Sequence, residues 1–181
     1  MLPELFLSRR AVVLGVCPML ISACKRRDKK IAVQQTDEDS ATLATMVFMG
    51  DPKTAPQLLK GFYNIEQNTW RWTAGQFAVA LRPPRNAAVR GAILHLKFVF
   101  PEAVQSKLQS ISISATVNGN PLSAEAYTKA GEQEYTREVD RKLLAGDAVN
   151  VEFTLDKFLA AGTVEQRELG IIATSAGFEA K

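Results

Sequence analysis

Thiols and imidazoles are almost missing from this 181-residue chain, which has two cysteines, Cys17 and Cys24, and one histidine, His95. The only imidazole falls at a strand position expected to face solvent with Lys97, so Ser-His-Asp or Cys-His catalysis and the usual zinc ligand sets are not expected, and the two cysteines are too far apart for a CxxC motif. Gly-x-Gly is absent, and no Gly-Lys-Ser/Thr loop offers a phosphate cradle. The longest apolar run spans Ala11 to Ala23, and thirteen residues at 1.5 Å each cannot cross a ~30 Å hydrocarbon core. A net excess of one charge is missing too. The formal charge is +3, yet from Ile31 to Lys181 there are 15 basic and 17 acidic residues, a balance of −2. The excess base sits in Arg9-Arg10 and in Lys25-Arg26-Arg27-Asp28-Lys29-Lys30, so no nucleic-acid footprint is expected on the folded part. What remains is globular: 46% hydrophobic, 23% charged, and long enough for one domain.

The N-terminus has the parts of an export signal. Ser8-Arg9-Arg10 is a positive n-region, Ala11–Ala23 an apolar h-region interrupted by Pro18, and Ser22-Ala23 a small-residue exit. Leu20-Ile21-Ser22-Ala23-Cys24 resembles the bacterial lipobox. That resemblance implies cleavage after residue 23 and acylation of Cys24, which becomes the first residue of the mature protein. Arg9-Arg10 after Ser8 also resembles a twin-arginine signal, with Val12-Val13 in place of the aromatic-aliphatic pair; ordinary secretory export suits the same residues. On this reading Cys17 leaves with the signal and Cys24 carries lipid, so no thiol remains for a disulfide or a metal. Residues 24–42 form the lipidated Cys and a polar tether, basic beside the membrane and then acidic through Asp37-Glu38-Asp39.

From residue 43 to 181 the pattern is β. Phe77, Val79 and Leu81 alternate with polar or small neighbours, as do Leu94, Leu96, Phe98 and Phe100; Ile111, Ile113, Ala115 and Val117; and Val149, Val151, Phe153 and Leu155. Weaker strands are expected near 43–48, 58–63, 69–73, 133–139 and 169–176, and short helices near 140–144 and 156–161. Turn signals fall at Gly50-Asp51-Pro52, Thr73-Ala74-Gly75, Pro83–Asn86, Asn118-Gly119-Asn120-Pro121 and Gly146-Asp147. Without long helices between strands, the expectation is an all-β fold, an antiparallel two-sheet β-sandwich of about eight strands, jelly-roll-like.

Two segments carry a further resemblance. Gly61-Phe62-Tyr63-Asn64-Ile65-Glu66 with Trp70-Arg71-Trp72-Thr73, and Glu165-Gln166-Arg167-Glu168-Leu169-Gly170-Ile171-Ile172, resemble the opening and closing strands of galactose-binding-like jelly-roll modules. Such modules stand beside envelope glycosyltransferases. Glu165 stands where those modules have Asp. The resemblance implies non-catalytic sugar contact or a packing role.

The residues themselves point the same way. Sugars stack their C–H faces on aromatic rings and offer hydroxyls to planar polar groups, so Tyr63, Glu66, Asn68, Trp70, Arg71, Trp72 and Arg167 are the ligand-binding candidates. On a strand Trp70 and Trp72 share one face and Arg71 takes the other; the tryptophans either fill the core, the commoner fate of large aromatics, or form a platform. Arg167 either reaches a ligand or pairs with Glu66 or Glu165. His95 shares an outward strand face with Lys97. Glu132, Glu134, Glu138 and Asp140 are an exposed strand face rather than a glycosidase pair.

No catalytic residue, metal or cofactor is expected. The sequence therefore points to a lipoprotein of the bacterial envelope, anchored extracytoplasmically in the inner or outer membrane through Cys24, whose sandwich binds an envelope glycan. The other reading is a structural or assembly lipoprotein that docks an envelope protein through a sheet edge or an apolar patch. Two or three acyl chains would bury tens of methylenes at ~0.8 kcal/mol each, against marginal anchoring by one chain. Cys24→Ser should block lipid attachment and leave uncut or soluble protein, read by membrane fractionation and intact mass; an unmodified Cys24 with its signal still attached in membranes would refute the anchor.

Overall fold

A computed structural model describes residues 43–181. The signal peptide, Cys24 and the tether lie outside the described residues. Nine strands follow in chain order: β1 (Met46–Phe48), β2 (Leu58–Glu66), β3 (Trp70–Leu81), β4 (Ala92–Phe100), β5 (Ile111–Val117), β6 (Asn120–Tyr127), β7 (Gly131–Val139), β8 (Val149–Leu155) and β9 (Ile172–Ala180). Short helices α1 (Ala87–Arg90) and α2 (Glu102–Leu108) and 3-10 turns at Pro52–Gln57 and Arg141–Leu143 join them. The protein is an all-β antiparallel sandwich, as the alternation implied.

The ladder runs β6-β5-β8-β3-β9-β4-β7, with β1 against β9 and β2 against β3. The twelve-residue β3 belongs to both layers. Its Gln76–Leu81 half pairs with β8, while Arg71 and Trp72 pair with β9. Rings from the two layers meet between them: Tyr135 of β7 packs edge-on against Phe153 of β8 at 6.3 Å, and Phe98 of β4 against Tyr127 of β6 at 5.0 Å.

The strongest period-two segments became strands with their apolar members inside. Leu94, Leu96, Phe98 and Phe100 are at most 1% exposed, as are Val149, Val151 and Phe153. Two local expectations need correction, and one strand was not expected. Thr73-Ala74-Gly75 is not a turn: β3 runs straight through it, and the turn-like composition serves close packing. A Cβ at Gly75 would lie 2.2 Å from the Phe158 ring. The strand Asn120–Tyr127 has no apolar period, because only Leu122, Glu125 and Tyr127 are covered along it. The helix expected at 156–161 is replaced by a loop in which Leu159 bridges Leu169, both buried, so its apolar residues dock the loop instead.

The β6 rim is closed by side chains. Tyr135 Oη donates to Ser123 O (2.8 Å), Arg137 donates to Ser123 O and Ala124 O, and Tyr127 Oη donates to Glu134 O (3.0 Å). Burial pushes both phenols above their ordinary range.

Phe77 sits at the junction of the layers, fully buried, stacked on Phe153 at 5.1 Å and edge-on to Phe62 at 5.3 Å. Phe77→Ala should cost ~3–5 kcal/mol, seen as a lower urea midpoint at unchanged slope. A loss below ~1 kcal/mol would mean that the junction is not packed as described.

Candidate functional site

The predicted site residues cluster at the β2–β3 hairpin. Its turn has positive φ at Gln67 (51°) and Asn68 (55°), and Thr69 N–H closes it onto Glu66 O at 3.1 Å. Glu66 then pairs with Trp70 in register, and Tyr63 lies three residues upstream on β2.

Arg167 joins this cluster from the loop before β9. It grips both carboxylate oxygens of Glu165, donates Nη1 to Glu66 Oε1 at 3.0 Å, and lies 5.1 Å over the Tyr63 ring. Arg167 thus pairs with both expected carboxylates. The Arg167 hydrogen bonds hold the Glu165 carboxyl below its ordinary value of 4.5 and push the guanidinium further up. All three charged groups already hold charged partners, and Glu66 keeps its second carboxylate oxygen outside these bonds.

Arg71 faces the other way. It donates Nε to Met49 O (3.1 Å) and Nη1 to Tyr63 O (2.9 Å), tying the end of β1 to β2. Its guanidinium is therefore committed to the backbone. The tryptophans do not sit inside the sandwich, the commoner fate weighed for them. Thr73 and Ala173 are fully buried, so their ladder neighbours Trp72 and Ile172 face outward by alternation. Trp70 and Trp72 stand edge-to-face at 6.3 Å, both half-buried, and Trp72 still touches the margin of the core.

The outward face of β7-β4-β9-β1 carries groups that sequence reasoning did not assemble. Register aligns Glu134, Lys97, Ser175 and Phe48 in one row, and Glu132, Val99, Ile172 and Trp72 in the next. Two adjoining hollows cross this face, about 610 Å³ and 430 Å³, and share Lys97 and Thr174. Glu132 and Glu134 wall the first, while Phe48, Asp51, Asn68 and Thr69 wall the second. Phe48 is 59% exposed, a ring presented to solvent. Of the predicted candidates, only Asn68 lines this groove. Phe48 belongs to a three-residue strand too short for a period, and the convergence of β1, β4, β7 and β9 is a product of topology.

His95 lies one row further along, opposite Gly177. It faces outward with Lys97 as expected, but it is not free. Nδ1 is 2.9 Å from Glu134 Oε1, and Nε2 lies 3.1 Å from Glu179 Oε2 at an angle too poor for a hydrogen bond. These carboxylates flank the ring from opposite sides. Among the described residues no three His, Cys, Asp or Glu side chains converge on a metal position.

No protein-family model and no curated protein sequence matches the chain. Among solved structures it is similar to the family 35 carbohydrate binding module from Clostridium thermocellum, with TM-score 0.43 and 10% identity over 75% of this chain and 98% of that one. The CBM36-1 domain of a multidomain xylanase from the hindgut metagenome of Trinervitermes trinervoides gives TM-score 0.40 and 12% identity over 74% and 95%. The exo-β-1,3-galactanase of Phanerochaete chrysosporium gives 0.41 and 8% over 76% of this chain, which spans 29% of the galactanase. At such identities no residue of this chain is matched to a residue of theirs.

The Glu165–Arg167 pair makes a pH prediction. A carboxyl held below its ordinary value contributes its full stabilisation above that value and loses it as pH falls through the lowered one. Carboxyl NMR titration should find Glu165 titrating below 4.5 and returning upward in Arg167→Gln. An unchanged midpoint in that variant would remove Arg167 as the cause.

Proposed function

We propose that this protein is a non-catalytic carbohydrate-binding sandwich, held on the extracytoplasmic side of the bacterial envelope through an acylated Cys24. The observation that carries the ligand class is the groove over β7-β4-β9-β1, where an exposed Phe48 ring stands among Lys97, Glu132, Glu134 and Asn68. An aromatic ring accepts the apolar face of a sugar, and ammonium, carboxylate and amide groups accept or donate to its hydroxyls. Three inter-strand steps of about 4.8 Å make the groove ~14 Å long, suited to an oligosaccharide rather than a single ring. Trp72 continues the face beyond Ile172.

Binding without turnover fits the same residues. The only histidine, His95, lies between Glu134 and Glu179 and outside the lining of the groove. The export signal and lipobox support the location; neither lies among the described residues.

Affinity electrophoresis of the full chain through gels containing envelope polysaccharides tests the reading. Retardation should occur with at least one polysaccharide, and Phe48→Ala should weaken it about tenfold or more, a change of ~1.4 kcal/mol, with the melting temperature unmoved because Phe48 is exposed. Absence of retardation on every envelope polysaccharide would reject the carbohydrate reading. Retardation undiminished by Phe48→Ala would move the site away from this groove.

A further inference from the structure

The described part of the chain has seven arginines, and they divide sharply. Arg71, Arg137 and Arg167 are bound to carbonyls or carboxylates inside the fold. Arg82, Arg85, Arg90 and Arg141 are exposed and make no side-chain hydrogen bond or ion pair among the described residues. All four lie at one end of the sandwich. Arg82 and Arg85 wall a hollow of about 590 Å³ closed by Leu144, Gly146 and Asp147. Arg90 and Arg141 wall the neighbouring one with Lys181 and Val89. Lys142 stands beside them on the 3-10 turn, also exposed and unpaired.

The carboxylates at this end do not neutralise the set. Glu138 is paired with Lys181 at 2.7 Å and Glu179 faces His95, while Asp140, which keeps its charge on accepting from Lys142 N–H at 2.8 Å, lines the hollow of Arg90 and Arg141, so the five cations stand against Asp140 and Asp147. Asp147 alone shares a hollow with Arg82 and Arg85. Val89 projects from the middle of the set, 67% exposed. Cations ringing an exposed aliphatic tip match a layer of anionic headgroups over an apolar interior.

The chain also arrives here. Ala44 O accepts from Arg82 N–H at 3.1 Å, so the first described residues lie beside the basic set. Eighteen residues separate Cys24 from residue 43, a span of at most ~60 Å however they are arranged.

We infer that this end of the sandwich is a docking surface for anionic phospholipid headgroups, through Arg82, Arg85, Arg90, Arg141 and Lys142 around Val89. It rests on the anchored reading of Cys24, since the lipid brings the surface to the bilayer and the arginines then orient the domain on it.

The test uses the full acylated chain in phosphatidylcholine vesicles with and without about one third phosphatidylglycerol. Val89→Cys, with Cys17 removed and Cys24 blocked by lipid, provides the one free thiol for a fluorophore; Thr163→Cys in the loop after β8 labels the opposite end. Headgroup spin labels should quench the Val89→Cys probe and not the Thr163→Cys probe, in phosphatidylglycerol vesicles only, with loss at high salt. The combined Arg82→Gln, Arg85→Gln, Arg90→Gln and Arg141→Gln variant should lose that quenching while remaining vesicle-bound. Equal quenching at both ends, or quenching indifferent to phosphatidylglycerol, in protein whose mass shows an acylated Cys24 would overturn the surface and leave the anchor standing. A mass without acyl chains would bring down anchor and surface together. Shielding of the Val89→Cys probe by a soluble anionic polysaccharide, without lipid quenching, would assign the surface to a glycan and overturn the inference.

Discussion

The strand β3 is the constraint on which the architecture depends. Along one edge it holds β2 for its whole length; along the other it pairs first with β9 and then with β8. A strand that serves two layers must bend between them while keeping its inward side chains inside. Two small residues permit this. At Gly75 the backbone meets the Phe158 ring, and at Gly61, with φ of +75°, β2 bulges so closely onto β3 that a Cβ would lie 2.0 Å from Gln76 O. Because β3 alternates without interruption from Arg71 to Leu81, the inward placement of Thr73 and Phe77 also sends Trp70 and Trp72 outward.

The groove face and the arginine-bearing end differ in kind. The groove face is mixed: acidic on β7, with Lys97 beside it, an aromatic at Phe48, and His95 hydrogen-bonded to Glu134 with Glu179 on its other side. Charges of both signs alternate across it, so it offers directional hydrogen bonding more than net potential. The end that carries Arg82, Arg85, Arg90 and Arg141 is the reverse, with four exposed guanidinium groups that make no side-chain hydrogen bond or ion pair among the described residues. The first suits a neutral polyhydroxyl ligand, the second an extended anionic surface. Elsewhere arginine is structural, as where Arg137 lies 4.6 Å over the Tyr135 ring and covers the β6 rim, removing carbonyls that another chain would need for edge pairing.

Much of the sandwich was legible in one dimension because half-buried strands repeat every two residues. β4, β5 and β8, and the second half of β3, announce themselves that way, and Asn118-Gly119 carries the positive φ values, 48° and 79°, that its hairpin needs. β2 and β6 are less legible for opposite reasons. Bulges scramble the period of β2, while β6 is a rim strand with most of its side chains in water. The candidate site was legible in its hairpin part. Tyr63, Glu66 and Arg167 do meet, but they meet each other, and Arg71 is absorbed by backbone carbonyls.

The sequence alone therefore determined the class of fold, the expectation of a lipidated envelope protein, and the poverty of titratable chemistry, since composition, period and short motifs are local properties. Only the tertiary structure decided which face each tryptophan takes, that Phe48 stands beside Lys97 and Glu134, and that four distant arginines share one end. Those are relations between residues tens of positions apart, set by strand order and register, and nothing in the linear chain encodes them until β3 has been threaded between the two layers.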